Sequence, residues 1–195
     1  MCIIAICEDR RLEYGEFQKY FKSNPDGVGF AYNRIGDGKL MYIKGLMDKD
    51  EAWKKYIDNV GVSGKHVVHF RKASIGEATA DLTHPFFITD HIASTMPLEG
   101  EVTAPILFHN GYFLDWQGVL TMLCVKFGDV PVGDISDTRV LSMAMSFIKQ
   151  DGWPRFLEMM EGNKFAIIYP TGVLERYGTY KSFGKLHLSS VPTKR

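Results

Sequence analysis

The chain opens on Met1-Cys2-Ile3-Ile4-Ala5-Ile6-Cys7. This short apolar run, β-branched at three positions and free of Gly and Pro, reads as a buried strand. Chain ends are loose and polar unless something ties them down. A terminus of this kind therefore predicts a first strand inside the core, with a cysteine at its head. Loss of Met1 would leave Cys2 with a free α-amine beside its own thiol. Unperturbed pKa values of about 7.7–8.0 for the amine and about 8.5 for the thiol would set a base matched to neutral pH next to a nucleophile. The plainer reading stays open at this point, since a free cysteine is often just a small buried hydrophobe.

A length of 195 residues fits one domain with a large core, so residues 1–195 are taken as a single unit. Lys+Arg and Asp+Glu balance at 23 each, which argues against a broad nucleic-acid or anionic-membrane surface. The basic tail 193–195 is too short to alter that. Cysteines 2, 7 and 124 are odd in number and lack CxxC spacing. They suggest a reduced compartment, with neither a disulfide framework nor a metal site. No stretch reaches the length of a membrane span, charged residues begin at Glu8, and no signal peptide is evident. The cytoplasm is the default location. No nucleotide-binding motif is present and no cofactor is expected.

Strand-like and helix-like stretches follow one another without repeats. An amphipathic helix is predicted over 11–22, then a turn at 23–27. A hairpin follows, from a strand at 28–32 and its partner at 39–44. Asp48 is the expected N-cap of a helix over 49–60, with an apolar stripe of Trp53, Tyr56, Ile57 and Val60. A strand over 65–74 alternates Val67, His69 and Arg71 on one face with His66, Val68 and Phe70 on the other. Arg71 is then either an exposed edge charge or a planar fork for a carboxylate. Pro85 pushes His84 into an extended conformation. Residues 89–104 read as a surface excursion, hairpin-like in pattern, with no recognisable chemistry.

A strand over 105–112 runs into Asn110-Gly111. That pair is a strong hairpin signal. It also suits an oxyanion hole, in which the Asn amide and the next backbone N–H face one developing charge. Asp115 is the expected cap of a helix over 116–127 that buries Leu120, Leu123, Cys124 and Phe127. Ser136 caps a helix running to about 149, with Asp137 complementing its dipole. A short helix over 153–161 and a β meander (164–169, 173–177, 180–183, 185–189) end the chain. The pattern predicts an α+β fold in which two antiparallel sheets pack together with helices outside, a four-layer αββα sandwich.

Five stretches, in this order, resemble the glutaminase domain of class II glutamine amidotransferases, which are N-terminal nucleophile (Ntn) hydrolases. They are Cys2 opening a strand, PDGVGFAY at 25–32, HFRKASIGE at 69–77 with THPF at 83–86, HNGY at 109–112, and SDT at 136–138. A single tripeptide such as HNG occurs by chance in about one chain in a hundred of this size, so the order and spacing carry the resemblance.

The resemblance implies roles for these positions. Cys2 would be the nucleophile and its α-amine the general base. The Asn110 side chain and the Gly111 N–H would form the oxyanion hole. Arg71 would hold the glutamine α-carboxylate and Asp137 the α-ammonium. Main-chain groups around Ser74, Ile75 and Tyr112 would line the pocket, with His84 and His109 as further pocket candidates. Attack on the side-chain amide would give a γ-glutamyl thioester and ammonia, and water would then release glutamate. The chain departs from common family patterns at Ile3, where Gly is frequent, at Lys72-Ala73-Ser74 and at Thr83.

No synthase domain accompanies the glutaminase-sized unit. The ammonia would serve a separate synthetase subunit. Alternatively the chain is a stand-alone amidohydrolase on glutamine or another γ-glutamyl compound, or a non-catalytic binding or assembly relative.

Overall fold

The computed structural model describes residues 1–91 and 96–192. In chain order the strands are β1 (Ile3–Glu8), β2 (Val28–Asn33), β3 (Leu40–Leu46), β4 (Lys65–Phe70), β5 (Phe86–Phe87), β6 (Glu99–Glu101), β7 (Ile106–Asn110), β8 (Lys164–Ile168), β9 (Leu174–Tyr177), β10 (Lys181–Phe183) and β11 (Leu186–Leu188). The helices are α1 (Tyr14–Ser23), α2 (Lys49–Asn59), α3 (Trp116–Phe127), α4 (Asp137–Ser146) and α5 (Trp153–Glu158).

Two antiparallel sheets form, one in the order β10-β11-β1-β4-β2-β3-β6 and the other β5-β7-β8-β9. Alternation along each strand assigns the layers. On β1, Ile3, Ala5 and Cys7 pack against Phe17 and Tyr20 of α1 and Ala52 and Tyr56 of α2. Ile4 and Ile6 face the other way, onto Ile106 and Phe108 of β7 and Ala166 and Ile168 of β8. The far side of the second sheet, with Leu107, Phe165 and Ile167, buries Leu141 and Met145 of α4 and Trp153 and Leu157 of α5. This is the expected four-layer α+β sandwich. Ile3, Ile4 and Ile6 are at most 1% exposed. At roughly 1.5–3 kcal/mol per buried side chain, they tie the N-terminus into the centre of the molecule.

Several local expectations change. The terminal strands are not one meander: β8 and β9 belong to the second sheet, while β10 and β11 cross to the first, where β11 pairs with β1. Period-2 patterning identifies strands but not their sheet. Asn110-Gly111 makes no hairpin, because β7 leads to α3 and pairs with β5 and β8. The excursion at 89–104 supplies β6, an edge strand on β3; its residues 92–95, like the tail 193–195, lie outside the described residues. Asp115 sits in the left-handed region at φ 57 and makes no side-chain cap bond to α3. In the stripe expected for α3 only Leu123 is buried. Cys124 is half-buried and Phe127 exposed, because apolar residues surround this helix on all sides and name no single face. Strand β4 ends at Phe70, so Arg71 to Ser74 lie in the loop beyond it.

Candidate active site

Register builds the site. Strands β1 and β4 run antiparallel with Ile3 opposite Phe70, so the residue before β1 and those after β4 emerge at the same end. Cys2 therefore lies against Lys72: its Sγ is 3.4 Å from the Lys72 N–H nitrogen and donates to the Lys72 carbonyl at 3.5 Å. Burial pushes the Cys2 thiol pKa up, against the lowering effects of the Lys72 backbone bond, the chain's terminal amine and Arg71. A thiol in that setting is protonated at neutral pH and needs a base to become a nucleophile. The carbonyl of Met1 accepts from Nδ2 of the buried Asn24 at 2.8 Å, while the Met1 residue is 78% exposed.

Arg71 is buried rather than an edge charge. Its backbone bonds Gly27 and Asp26, which fastens the end of β4 to the turn before β2. Its guanidinium donates to the carbonyls of Glu77 at 2.7 Å and Ile75 at 3.3 Å. Asp26 accepts from the Ala73 N–H at 2.8 Å, shaping the same loop. Burial pulls the Arg71 pKa down, and Cys2, Asp26 and Asp137 oppose that shift.

The second wall comes from the end of β7 and the start of α4. Ser136 caps α4, accepting from the Arg139 N–H at 3.2 Å. Asp137 is buried, with one oxygen accepting from the Phe113 N–H at 3.0 Å and the other from the Thr138 N–H at 2.8 Å. His109 bridges these elements. Its Nε2 is 2.8 Å from Asn163 Oδ1, and its Nδ1 is 2.9 Å from Thr138 Oγ1. Because Asn163 Oδ1 can only accept, Nε2 carries the proton and Nδ1 accepts from Thr138. Burial lowers the His109 pKa, keeping it neutral. Asn163 also accepts from the Tyr112 N–H at 2.6 Å. Nothing in the sequence marked Asn163, whose partners lie about fifty residues upstream.

Asn110 is buried at the end of β7, with Nδ2 2.8 Å from the hydroxyls of both Ser189 and Ser190. These serines, too, were unmarked. Tyr112 is 43% exposed. Behind the site His69 and His84 stack at 3.8 Å between ring centroids. His69 Nε2 donates to the His109 carbonyl at 3.0 Å. His69 Nδ1 and both His84 nitrogens are buried without a partner among the described residues. Burial lowers the pKa of both rings, His69 to about 3. Gly29 on β2 lets this segment approach, because a Cβ there would lie 1.9 Å from the His84 carbonyl oxygen. Lys44 fastens the same segment from β3 through the carbonyls of Asp81 and Pro85, at 3.0 and 3.1 Å.

Cys2, Arg71, Ser74, Ile75, His84, His109, Gly111 and Asp137 all line one cavity. Asn110 and Tyr112 adjoin it without lining it. The cavity measures about 20 Å³, room for about one water, so a larger substrate needs it to widen. A larger cavity, about 710 Å³, lies elsewhere, between α4 and the segment around β5. It contains none of the expected site residues. Among the described residues no cluster of three or more His, Cys, Asp or Glu could hold a metal ion, and no helix is long and apolar enough to cross a membrane.

No protein-family model matches the sequence, and no curated protein does. Solved structures do match. Glutamine phosphoribosylpyrophosphate amidotransferase from B. subtilis, complexed with ADP and GMP, superposes with a TM-score of 0.60 over 96% of this chain at 16% identity. The fold is similar to the Ntn-hydrolase fold of that amidotransferase. A structure described as the allosteric regulatory enzyme of purine biosynthesis gives a TM-score of 0.58 over 96% of the chain at 17% identity. The chain covers 41% of the length of each neighbour. At such identities the likeness is one of fold alone.

Proposed function

We propose that the chain is a glutaminase of the class II amidotransferase type, with Cys2 as nucleophile. The observation that carries this reading is the shared cavity, which is lined by Cys2, by the buried Arg71 and by the buried Asp137. A free amino acid carries one carboxylate and one ammonium. One fixed cation and one fixed anion beside a thiol match that head group and leave the side chain over the sulfur. The likeness in fold to an enzyme named for glutamine supports the choice of substrate.

The scheme requires cleavage of the Met1–Cys2 bond. The freed α-amine takes the thiol proton, and the thiolate attacks the side-chain amide carbon. The tetrahedral oxyanion is stabilised by the Gly111 N–H and the Asn110 amide. The amine returns the proton to nitrogen as the C–N bond breaks, releasing ammonia. Water then cleaves the γ-glutamyl thioester to give glutamate and the free thiol. The ammonia passes to a separate acceptor enzyme.

Intact mass before and after 6-diazo-5-oxo-norleucine, a reactive glutamine analogue, tests the reading. Loss of the Met1 mass and a single adduct on Cys2 is the expected result. A processed protein that stays unlabelled overturns glutamine as substrate. Retained Met1 without labelling turns the reading to a non-catalytic binding module. Turnover without any partner marks a stand-alone amidohydrolase.

A further inference from the structure

We propose that Ser189 and Ser190 orient the Asn110 amide, holding its oxygen toward their hydroxyls and its nitrogen toward the reacting carbonyl. This rests on the proposed reading of Asn110 as an oxyanion donor and makes the two serines positioning residues for it. On β7, Ile106 and Phe108 face the first sheet, and Asn110, at the same parity, faces it too. There β1 begins, one residue after Cys2. The segment after β11 runs beside that same start: the Ser189 N–H bonds the Ile4 carbonyl at 2.9 Å, and Ser189 Oγ accepts from the Ile4 N–H at 2.8 Å.

Donor and acceptor accounting, taken with an oxyanion at the open end of the amide, selects the orientation. As placed, Asn110 Nδ2 donates to both serine oxygens, while Asn110 Oδ1 is buried with no partner among the described residues. Ser189 Oγ then accepts from two N–H groups, Ile4 and Asn110, and its own hydroxyl proton finds no acceptor in either. An amide oxygen has two lone pairs, and each hydroxyl has one proton. Turning the amide by half a rotation pairs the oxygen with the protons of Ser189 and Ser190 and moves the unpaired position to the amide N–H groups. Oxygen and nitrogen occupy nearly the same positions in the two orientations, and their assignment follows from the network. An unpaired buried donor or acceptor costs about 1–3 kcal/mol, and the turned amide recovers that cost when an oxyanion binds. The turned amide leaves a pair of N–H donors in its place, which is what a developing oxyanion requires.

A double-mutant cycle on glutamine turnover tests the coupling, using the processed protein, Ser190→Ala, Asn110→Ala and the double variant. Ser190 is chosen because Ser189 also holds the Ile4 N–H. Ser190→Ala is expected to lower kcat about threefold to tenfold, the worth of one hydrogen bond, with KM little changed and Ser190→Thr restoring it. In the Asn110→Ala background the serine change should cost nothing more. The same loss in both backgrounds overturns the proposal. Neutron diffraction reads the amide directly and stands apart from turnover. Oxygen facing the serines is expected, and nitrogen facing them overturns the orientation even in a protein that hydrolyses glutamine. A processed wild type that never turns over glutamine sinks the glutaminase reading, while the neutron map still decides the amide.

Discussion

The amide oxygen of Asn163 lies 2.8 Å from Nε2 of His109 and fills the space that a side chain at position 111 would need. A Cβ on Gly111 would sit 1.9 Å from that oxygen and 2.9 Å from the His109 ring nitrogen. Gly111→Ala must therefore push Asn163 away and free both His109 and the Tyr112 N–H. Overpacking of this kind costs about 1–3 kcal/mol. Asn163→Ala makes room but leaves the buried His109 N–H unpaired, again about 1–3 kcal/mol. The two changes share one contact, so the double variant should lose less stability than the sum. Chemical denaturation of the four proteins measures this, and strict additivity would separate the two residues.

Cys2→Ala exchanges one small side chain for another at a half-buried position. It should shift stability by about 1 kcal/mol or less while abolishing labelling by the glutamine analogue and all turnover. The raised thiol pKa adds a second expectation. Protein that still carries Met1 should react with iodoacetamide slowly at pH 7 and faster as pH rises, since only the thiolate attacks. Fast, pH-independent alkylation of the Met1 form would show that the thiol is already ionised without the α-amine.

The parts of this site that were readable in the sequence are those set by local rules. Cys2 stands out because an apolar strand follows it at once. Asp137 came from the resemblance, because a helix cap at Ser136 accounts for the pair without any site. The alternation of β4 put Arg71 on the face of Val67 and His69, although the strand itself stops one residue earlier. Asn163, Ser189 and Ser190 were not readable. Asn163 reaches Tyr112 across 51 residues, and Ser190 reaches Asn110 across 80; no periodicity records such pairs. The same limit hid the division of the last four strands between two sheets. In α3 the local rule itself misled, since Met122 and Val125 are 66% and 80% exposed in a helix with no polar face to set against its apolar one.

Arg71→Lys separates charge from shape. Lysine keeps the cation but loses the fork, and with it one of the bonds to the carbonyls of Glu77 and Ile75. The glutamine KM should rise roughly tenfold, the effect of about 1.4 kcal/mol, with a smaller change in kcat. Steady-state kinetics gives the split. A fall in kcat at unchanged KM would move Arg71 from holding substrate to shaping the loop around Cys2.

Buried bases should make stability rise with pH from acid through neutrality. His66 and His69 have pKa values lowered by burial from 6.5 to about 4 and about 3. The unfolded chain takes up protons near 6.5 that the native state refuses, so their contribution is present above that pH and is lost as pH falls toward 4. Lys44 is 2% exposed, and among the described residues its ammonium meets the carbonyls of Asp81 and Pro85 and the Phe86 ring, with the Asp81 charge opposing the effect of burial. Burial lowers its pKa from 10.5 to about 7, so the unfolded chain binds its proton between those values and stability climbs over that window. Each group adds a slope of at most about 1.4 kcal/mol per pH unit. Cys7, raised from 9.0 to about 12, opposes the rise near pH 9, which leaves pH 7–8.5 as the clean interval for Lys44. Urea denaturation from pH 4 to 8.5 should show both limbs. Lys44→Met should flatten the upper limb and His66→Phe should reduce the lower by one proton. A wild-type profile already flat between pH 7 and 8.5 would mean that Lys44 keeps its proton in the fold and that the carbonyls of Asp81 and Pro85 suffice to hold a buried charge.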